Sequence, residues 1–151
     1  MAQRLWDRIS EGDAIGTLQF PITVYRLVMA AGANRDFNAI HHNSEFARST
    51  GAPEMYANTL FLQGMWERLV RDYVGVAGRI HGLGGFRMRT FNTVGDTVVV
   101  TGRIIRKWRQ EGRGMLEIEL RSDNSRGLSV GPGFILASLP LGREIAGGPS
   151  G

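Results

Sequence analysis

Within the run Asp36-Phe37-Asn38-Ala39-Ile40-His41-His42-Asn43, a carboxylate, a carboxamide and an imidazole fall inside six residues. A carboxylate and an imidazole that reach the same water form an acid/base pair, one group removing a proton while the other delivers one. The pair cannot form along a helix. At about 100° per residue, side chains five positions apart leave different faces. Asp36 and His41 converge only across a loop or a tight turn, and such loops commonly carry chemistry. The same residues have a plainer use, because Asx side chains cap turns, and Asp36 and Asn38 lie just after the break at Gly32. His42 reads as an outward or interface neighbour, and His81, on an expected strand, as a hydrogen-bonded structural histidine.

The elements that must hold this loop are legible on both sides of it. Residues 15–24 form an apolar run interrupted by Pro21, which suits an edge strand. A short helix over 25–31 follows, with Tyr25, Val28 and Met29 on its apolar face and Gly32 as its stop. Asn43 or Ser44 caps the next helical turn. The long helix spans 59–74, where Leu60, Phe61, Met65, Trp66, Leu69, Val70, Tyr73 and Val74 recur every three to four residues. Trp66, Tyr73 and Met65 read as core or dimer contacts, and Gly75 and Gly78 end the helix.

Strand patterning occupies 79–91, 97–107, 114–123 and 129–139, separated by Gly-, Asn- and Asp-containing turns. Gly84, Gly85, Gly131 and Gly133 suit bulges or bends, and Gly131-Pro132-Gly133 reads alternatively as a loop splitting the last strand. One early strand, one long helix and four antiparallel strands is the order of a curved sheet wrapped around a single helix, an α+β fold. Arg87 and Arg89 alternate with apolar residues at period two, which indicates a strand with one basic face before it indicates a stacking surface for bases.

A chain of 151 residues with 42% apolar content supports one core and so one domain, 1–140, followed by a flexible tail, 141–151, without apolar periodicity. No stretch approaches the roughly 20 apolar residues that span a bilayer, and the first residues carry charges where a signal peptide needs its apolar region, so a cytoplasmic protein is expected. Cysteine is absent, which removes disulfides, thiolate nucleophiles and thiolate metal sites. Asp36, His41 and His42 have no suitably spaced further ligand, so no metal is expected. The net charge of +4 is spread over single residues, all but Lys107 being arginine. No basic tract points to nucleic acid; a mild positive field instead favours small anionic substrates.

The run from Asp36 resembles the hydratase 2 signature of the MaoC-like, (R)-specific enoyl-CoA hydratases and dehydratases, Asp-x-Asn-Pro-hydrophobic-His-x-Asp followed by a short helix carrying an Ala. The matching residues are Asp36, Asn38, Ile40, His41, Asn43 and Ala47. With Gly51-Ala52-Pro53-Glu54-Met55-Tyr56-Ala57-Asn58-Thr59, Arg71-Asp72-Tyr73 and the run 94–102, the chain is similar to the acyl dehydratases of actinobacterial steroid side-chain catabolism from about 15 to 140. The resemblance implies the hot-dog fold, Asp36 and His41 as the catalytic pair with Asn38 in support, and a CoA thioester as substrate with no other cofactor. It implies paired sheets with an acyl tunnel between protomers, as a homodimer or as a heteromer with a second MaoC-like or OB-fold-containing subunit, this chain being the active partner. Three positions depart from the signature: Ala39 replaces Pro, Asn43 replaces Asp, and Asn58-Thr59 stands where many hydratases have His-Gly.

Hydration of a 2-enoyl thioester needs a base for water, an acid for Cα and stabilisation of charge on the thioester oxygen. Asp36 and His41 supply the first two, and Asn38 orients the carboxylate or the water. The unpaired N–H groups at the start of the long helix, those of Thr59 and Leu60, are the expected oxyanion donors. Tyr56 and Asn58, next to them, are expected to contact substrate, and Met55 to line the acyl pocket with Tyr56. Two other readings stay open: a non-catalytic hot-dog subunit that shapes a partner's tunnel, and a hot-dog thioesterase that directs water at the carbonyl carbon.

Overall fold

The computed structural model describes residues 3–142. From residue 143 the tail expected to be flexible lies outside the described residues. Five strands, β1 (Ala14–Pro21), β2 (Arg79–Gly84), β3 (Thr97–Gln110), β4 (Arg113–Asn124) and β5 (Gly127–Pro140), form one antiparallel sheet in the order β1-β3-β4-β5-β2. β1 is an edge strand, as Pro21 requires. The helices are α1 (Val24–Ala33), α2 (Ser44–Ser49) and α3 (Thr59–Val74), with single 3-10 turns at Trp6–Arg8 and Ala39–His41.

The sheet curves around α3, which packs against β1, β3 and β5. Leu62, Met65, Trp66, Leu69, Val70, Tyr73 and Val74 are buried along it, each large side chain contributing about 1.5–3 kcal/mol of apolar burial. The Trp66 indole donates to Ser122 Oγ on β4 at 2.8 Å, which satisfies its one polar atom inside the core. Gly75, at φ 71°, ends the helix in a backbone region that other residues seldom enter. Leu60, expected on the buried stripe, is exposed because it lies in the first turn, outside the wrap of the sheet.

Two other expectations are corrected and one alternative falls away. The strand expected over 79–91 stops at Gly84; Gly85 has φ 65°, and beyond it only the bridge from Met88 to Val130 continues the pairing, so residues 86–91 are not a strand with a basic face. The last strand is not split, for Gly131-Pro132-Gly133 lies inside β5. Helix α1 does not stop at Gly32 and does not bury Tyr25, Val28 and Met29; these are 73%, 48% and 55% exposed, while Leu27 and Ala31 face the core. The stop falls at Arg35, whose left-handed backbone (φ 55°) closes a pair of bonds, Arg35 N to Gly32 O and Asp36 N to Ala31 O. That pairing is a Schellman motif with arginine where glycine is usual.

Candidate active site

The turn at Arg35 reverses the chain, and the 3-10 turn at Ala39–His41 then brings the imidazole back to the carboxylate. His41 Nε2 lies 3.1 Å from Asp36 Oδ2, with the His41 side chain 7% and the Asp36 side chain 37% exposed. His41 Nδ1 lies 2.8 Å from the carbonyl oxygen of Tyr56. A carbonyl only accepts, so Nδ1 carries a proton and donates it. Nε2 is then left facing Oδ2, two atoms between which a proton can pass. The dyad can thus give a proton from one group while taking one at the other.

Asn38 does a different job from the one expected. It caps the 3-10 turn, its Oδ1 accepting from Ile40 N at 3.2 Å, and its side chain makes no bond to Asp36 or His41 among the described residues. Its contribution to the dyad is the turn itself. Asn43 caps α2 by accepting from Phe46 N at 2.9 Å, and Ala47 behind it is fully buried. His42 is exposed with Nε2 near Phe37 O, and His81 bonds Ser138 Oγ at 2.8 Å; both fit their structural readings.

The chain from Tyr56 leads in two residues to the start of α3. Asn58 is its N-cap, buried to 5% exposure, with Oδ1 accepting from Phe61 N at 2.8 Å and from Asn34 Nδ2 at 3.2 Å. The amides of Thr59 and Leu60 take no partner among the described residues. They carry the positive end of a 16-residue helix. Asn58, expected to contact substrate, therefore appears as the group that frames these amides, and its Nδ2 is buried without a partner.

The Tyr56 ring stands edge-on to His41, centroids 5.4 Å apart, and packs at 4.8 Å on Phe91. It borders a cavity of about 230 Å³ together with Leu62, Met88 and Asn92. Met55 does not share that role; it is buried in the core. A second, larger groove of about 620 Å³ runs between α1 and the first half of α3, lined by Phe20, Tyr25, Met29, Leu60, Phe61 and Met65. Among the described residues no three His, Asp or Glu side chains group as a metal site would require. No helix of the described residues is long and apolar enough to cross a membrane.

What the sequence did not disclose is the clasp behind Tyr56. Asp96 is buried, accepts from Thr93 N (2.7 Å) and Thr93 Oγ1 (3.0 Å), and is gripped by Arg126 Nη1 (3.0 Å) and Nη2 (2.6 Å) from the β4–β5 turn. Burial works against the Asp96 charge, but the Arg126 guanidinium and the Thr93 donors outweigh it and hold the carboxyl below the usual carboxylate range. The visible hints were two turn signals, Val94-Gly95-Asp96 and Asn124-Ser125-Arg126-Gly127, with nothing in either to pair them.

The wrap of five antiparallel strands about α3 can be compared with known proteins. In the structure of the ChsH1-ChsH2 complex from Mycobacterium tuberculosis, one chain superposes with a TM-score of 0.76 at 23% identity, over 87% of this chain and 98% of that one. The (R)-hydratase from A. caviae involved in PHA biosynthesis superposes with a TM-score of 0.78 at 19% identity, over 88% and 98% of the two chains. The chain carries a hot-dog fold. In sequence, this hot-dog chain is 31% identical over 78 residues to the 3-oxo-4,17-pregnadiene-20-carboxyl-CoA hydratase beta subunit of Mycobacterium tuberculosis, a match covering 52% of this chain and 60% of that relative's length. No family model matches the chain.

Proposed function

We propose that this chain is a hydro-lyase of the MaoC-like family that adds water reversibly across the double bond of a 2-enoyl-CoA thioester. The observation that carries the reading is the Asp36–His41 contact at 3.1 Å, with the imidazole fixed by the Tyr56 carbonyl three residues before the first free amide of α3. In hydration, the dyad takes one proton from water as its oxygen bonds to Cβ. The π electrons move to the thioester oxygen, where the Thr59 and Leu60 amides stabilise the enolate, and the dyad returns a proton to Cα. Its proton count is unchanged at the end, and the reverse sequence is dehydration.

We further propose that the acyl group is bulky, of the steroid side-chain class named for the curated relative, and that the chain works in a cytoplasmic assembly with a second hot-dog or OB-fold-containing subunit. The sheet edges β1 and β2, and the apolar outer face formed by Tyr25, Val28, Met29 and Leu60, are surfaces that such an assembly would cover. The half-exposed Asp36 carboxyl would also be dried by a neighbouring subunit.

The test is mass spectrometry of the protein incubated with short, medium and steroid-type enoyl-CoA esters. Gain of one water, about 18 Da, on the intact thioester supports hydration. Release of free CoA would instead identify a thioesterase, and absence of turnover even with co-purified subunits would leave a structural role.

A further inference from the structure

Both halves of the dyad hang from one short loop, residues 91–96. On one side, Ala57 N donates to Asn92 O (2.9 Å), Val94 N donates to Met55 O (3.1 Å), and Tyr56 bridges to Thr93, so the loop registers the three residues that present the Tyr56 carbonyl to His41. On the other, Gly95 N donates to Ile22 O (2.9 Å) and Ile22 N to Asp96 O (2.8 Å), one residue before the Thr23 cap of α1, the helix whose closing turn presents Asp36.

The loop is itself held from the β4–β5 turn. Arg126 bonds both Asp96 oxygens and the Phe91 carbonyl (2.7 Å), while Asn124 Nδ2 reaches the Phe91 carbonyl (3.1 Å) and Asn92 Oδ1 (3.0 Å). An arginine with its fork on a carboxylate and a further N–H on a backbone carbonyl sets position and direction at once, which lysine cannot do. The Phe91 ring, at the end so gripped, packs on the Tyr56 ring, which in turn stands against His41.

We infer that Arg126, through Asp96 and the loop 91–96, is a positioning residue of the dyad: it fixes the Tyr56 carbonyl that holds the proton on His41 Nδ1 and anchors the strand end from which α1 carries Asp36. Its relevance to turnover rests on the hydratase reading; its effect on the imidazole does not. Without Arg126 the loop relaxes, Tyr56 shifts, and His41 loses its single tautomer.

The experiment is nitrogen NMR of the His41 ring in the full chain, wild type against Arg126→Ala, with His41→Ala used to assign the signals, Arg121→Ala as a surface-charge control on β4, and steady-state kinetics alongside. Wild type is expected to show a protonated Nδ1. Arg126→Ala should show mixed tautomers and, where wild type turns over, a kcat lower by roughly 10- to 100-fold with KM little changed, the scale on which residues that orient a catalytic group act. Arg121→Ala should change neither. An unaltered His41 spectrum in a folded Arg126→Ala protein would overturn the inference, whatever its activity. Should that variant not fold, Arg126→Lys, which keeps one charged donor toward Asp96 but cannot hold Phe91 as well, is judged by the same criterion. Absence of hydration by wild type would count against the hydratase reading alone, leaving the spectroscopic result to decide the role of Arg126.

Discussion

His41 is held at both ring nitrogens, Nδ1 by the carbonyl of Tyr56 at 2.8 Å and Nε2 by the carboxyl of Asp36 at 3.1 Å. The first contact fixes the tautomer, with Nδ1 donating to backbone; the second leaves Nε2 facing the carboxyl. The imidazole therefore cannot rotate without breaking a bond, and Nε2 stays aimed at the Asp36 carboxyl, the pair through which, under the hydratase reading, proton traffic with water and Cα would pass.

Removing either member should abolish that traffic. Asp36→Asn and His41→Ala are each expected to lower kcat for hydration by about 10²–10⁴-fold, and the double variant should be no worse than the poorer single one because the groups act as a unit. Steady-state hydration of an accepted enoyl-CoA, measured for all three, decides this; additive losses would mean the two residues act separately.

Asn58 joins α1 to α3 through one oxygen, accepting from Phe61 N and Asn34 Nδ2. Asn58→Ala should cost about 1–2 kcal/mol, the loss of a helix N-cap, seen as a lower urea midpoint at unchanged slope.

Arg35 pays for the turn that delivers Asp36, since its backbone sits at φ 55°. Left-handed conformation costs about 1–2 kcal/mol for a residue with a Cβ, against about 0.5–1 kcal/mol of extra chain freedom for glycine. Arg35→Gly should therefore stabilise the protein by about 0.5–1 kcal/mol, raising its thermal midpoint, with the dyad geometry intact.

Asp96 should shape the acid limb of stability. Its folded carboxyl is held below the ordinary value of 3.8, so it binds fewer protons folded than unfolded. That contribution is complete above the unfolded value and is lost as pH falls through the lower folded one. The stability gap between wild type and Asp96→Asn should be widest near neutrality and narrow below pH 3.8; a gap that widened on acidification would refute the assignment.

The long helix and the sheet were legible because each buries a periodic face: the span 59–74 matches α3, and three of the four later strands differ only at their ends. Where expectation failed, local signals were overruled. Gly32 looked like a stop, but its carbonyl was needed by Arg35 N, and the chain turned three residues later. Tyr25, Val28 and Met29 share a helical face that the sheet does not reach. The meeting of Asp36 and His41 was readable because a carboxylate and an imidazole five residues apart, just after a break, converge only across a turn. The Tyr56 carbonyl was not, because every residue has one, and only register decides which carbonyl meets the imidazole. Arg126 was invisible for the same reason: its role depends on which loop its hairpin turn faces.

Asp36, His41, the Tyr56 carbonyl and the amides of Thr59 and Leu60 are all contributed by one stretch of one polypeptide, between Arg35 and the first turn of α3. Under the hydratase reading each copy of this chain brings one whole centre to any assembly it joins. Active-site titration would then count its copies, and the ratio of centres to total mass would report subunit stoichiometry directly.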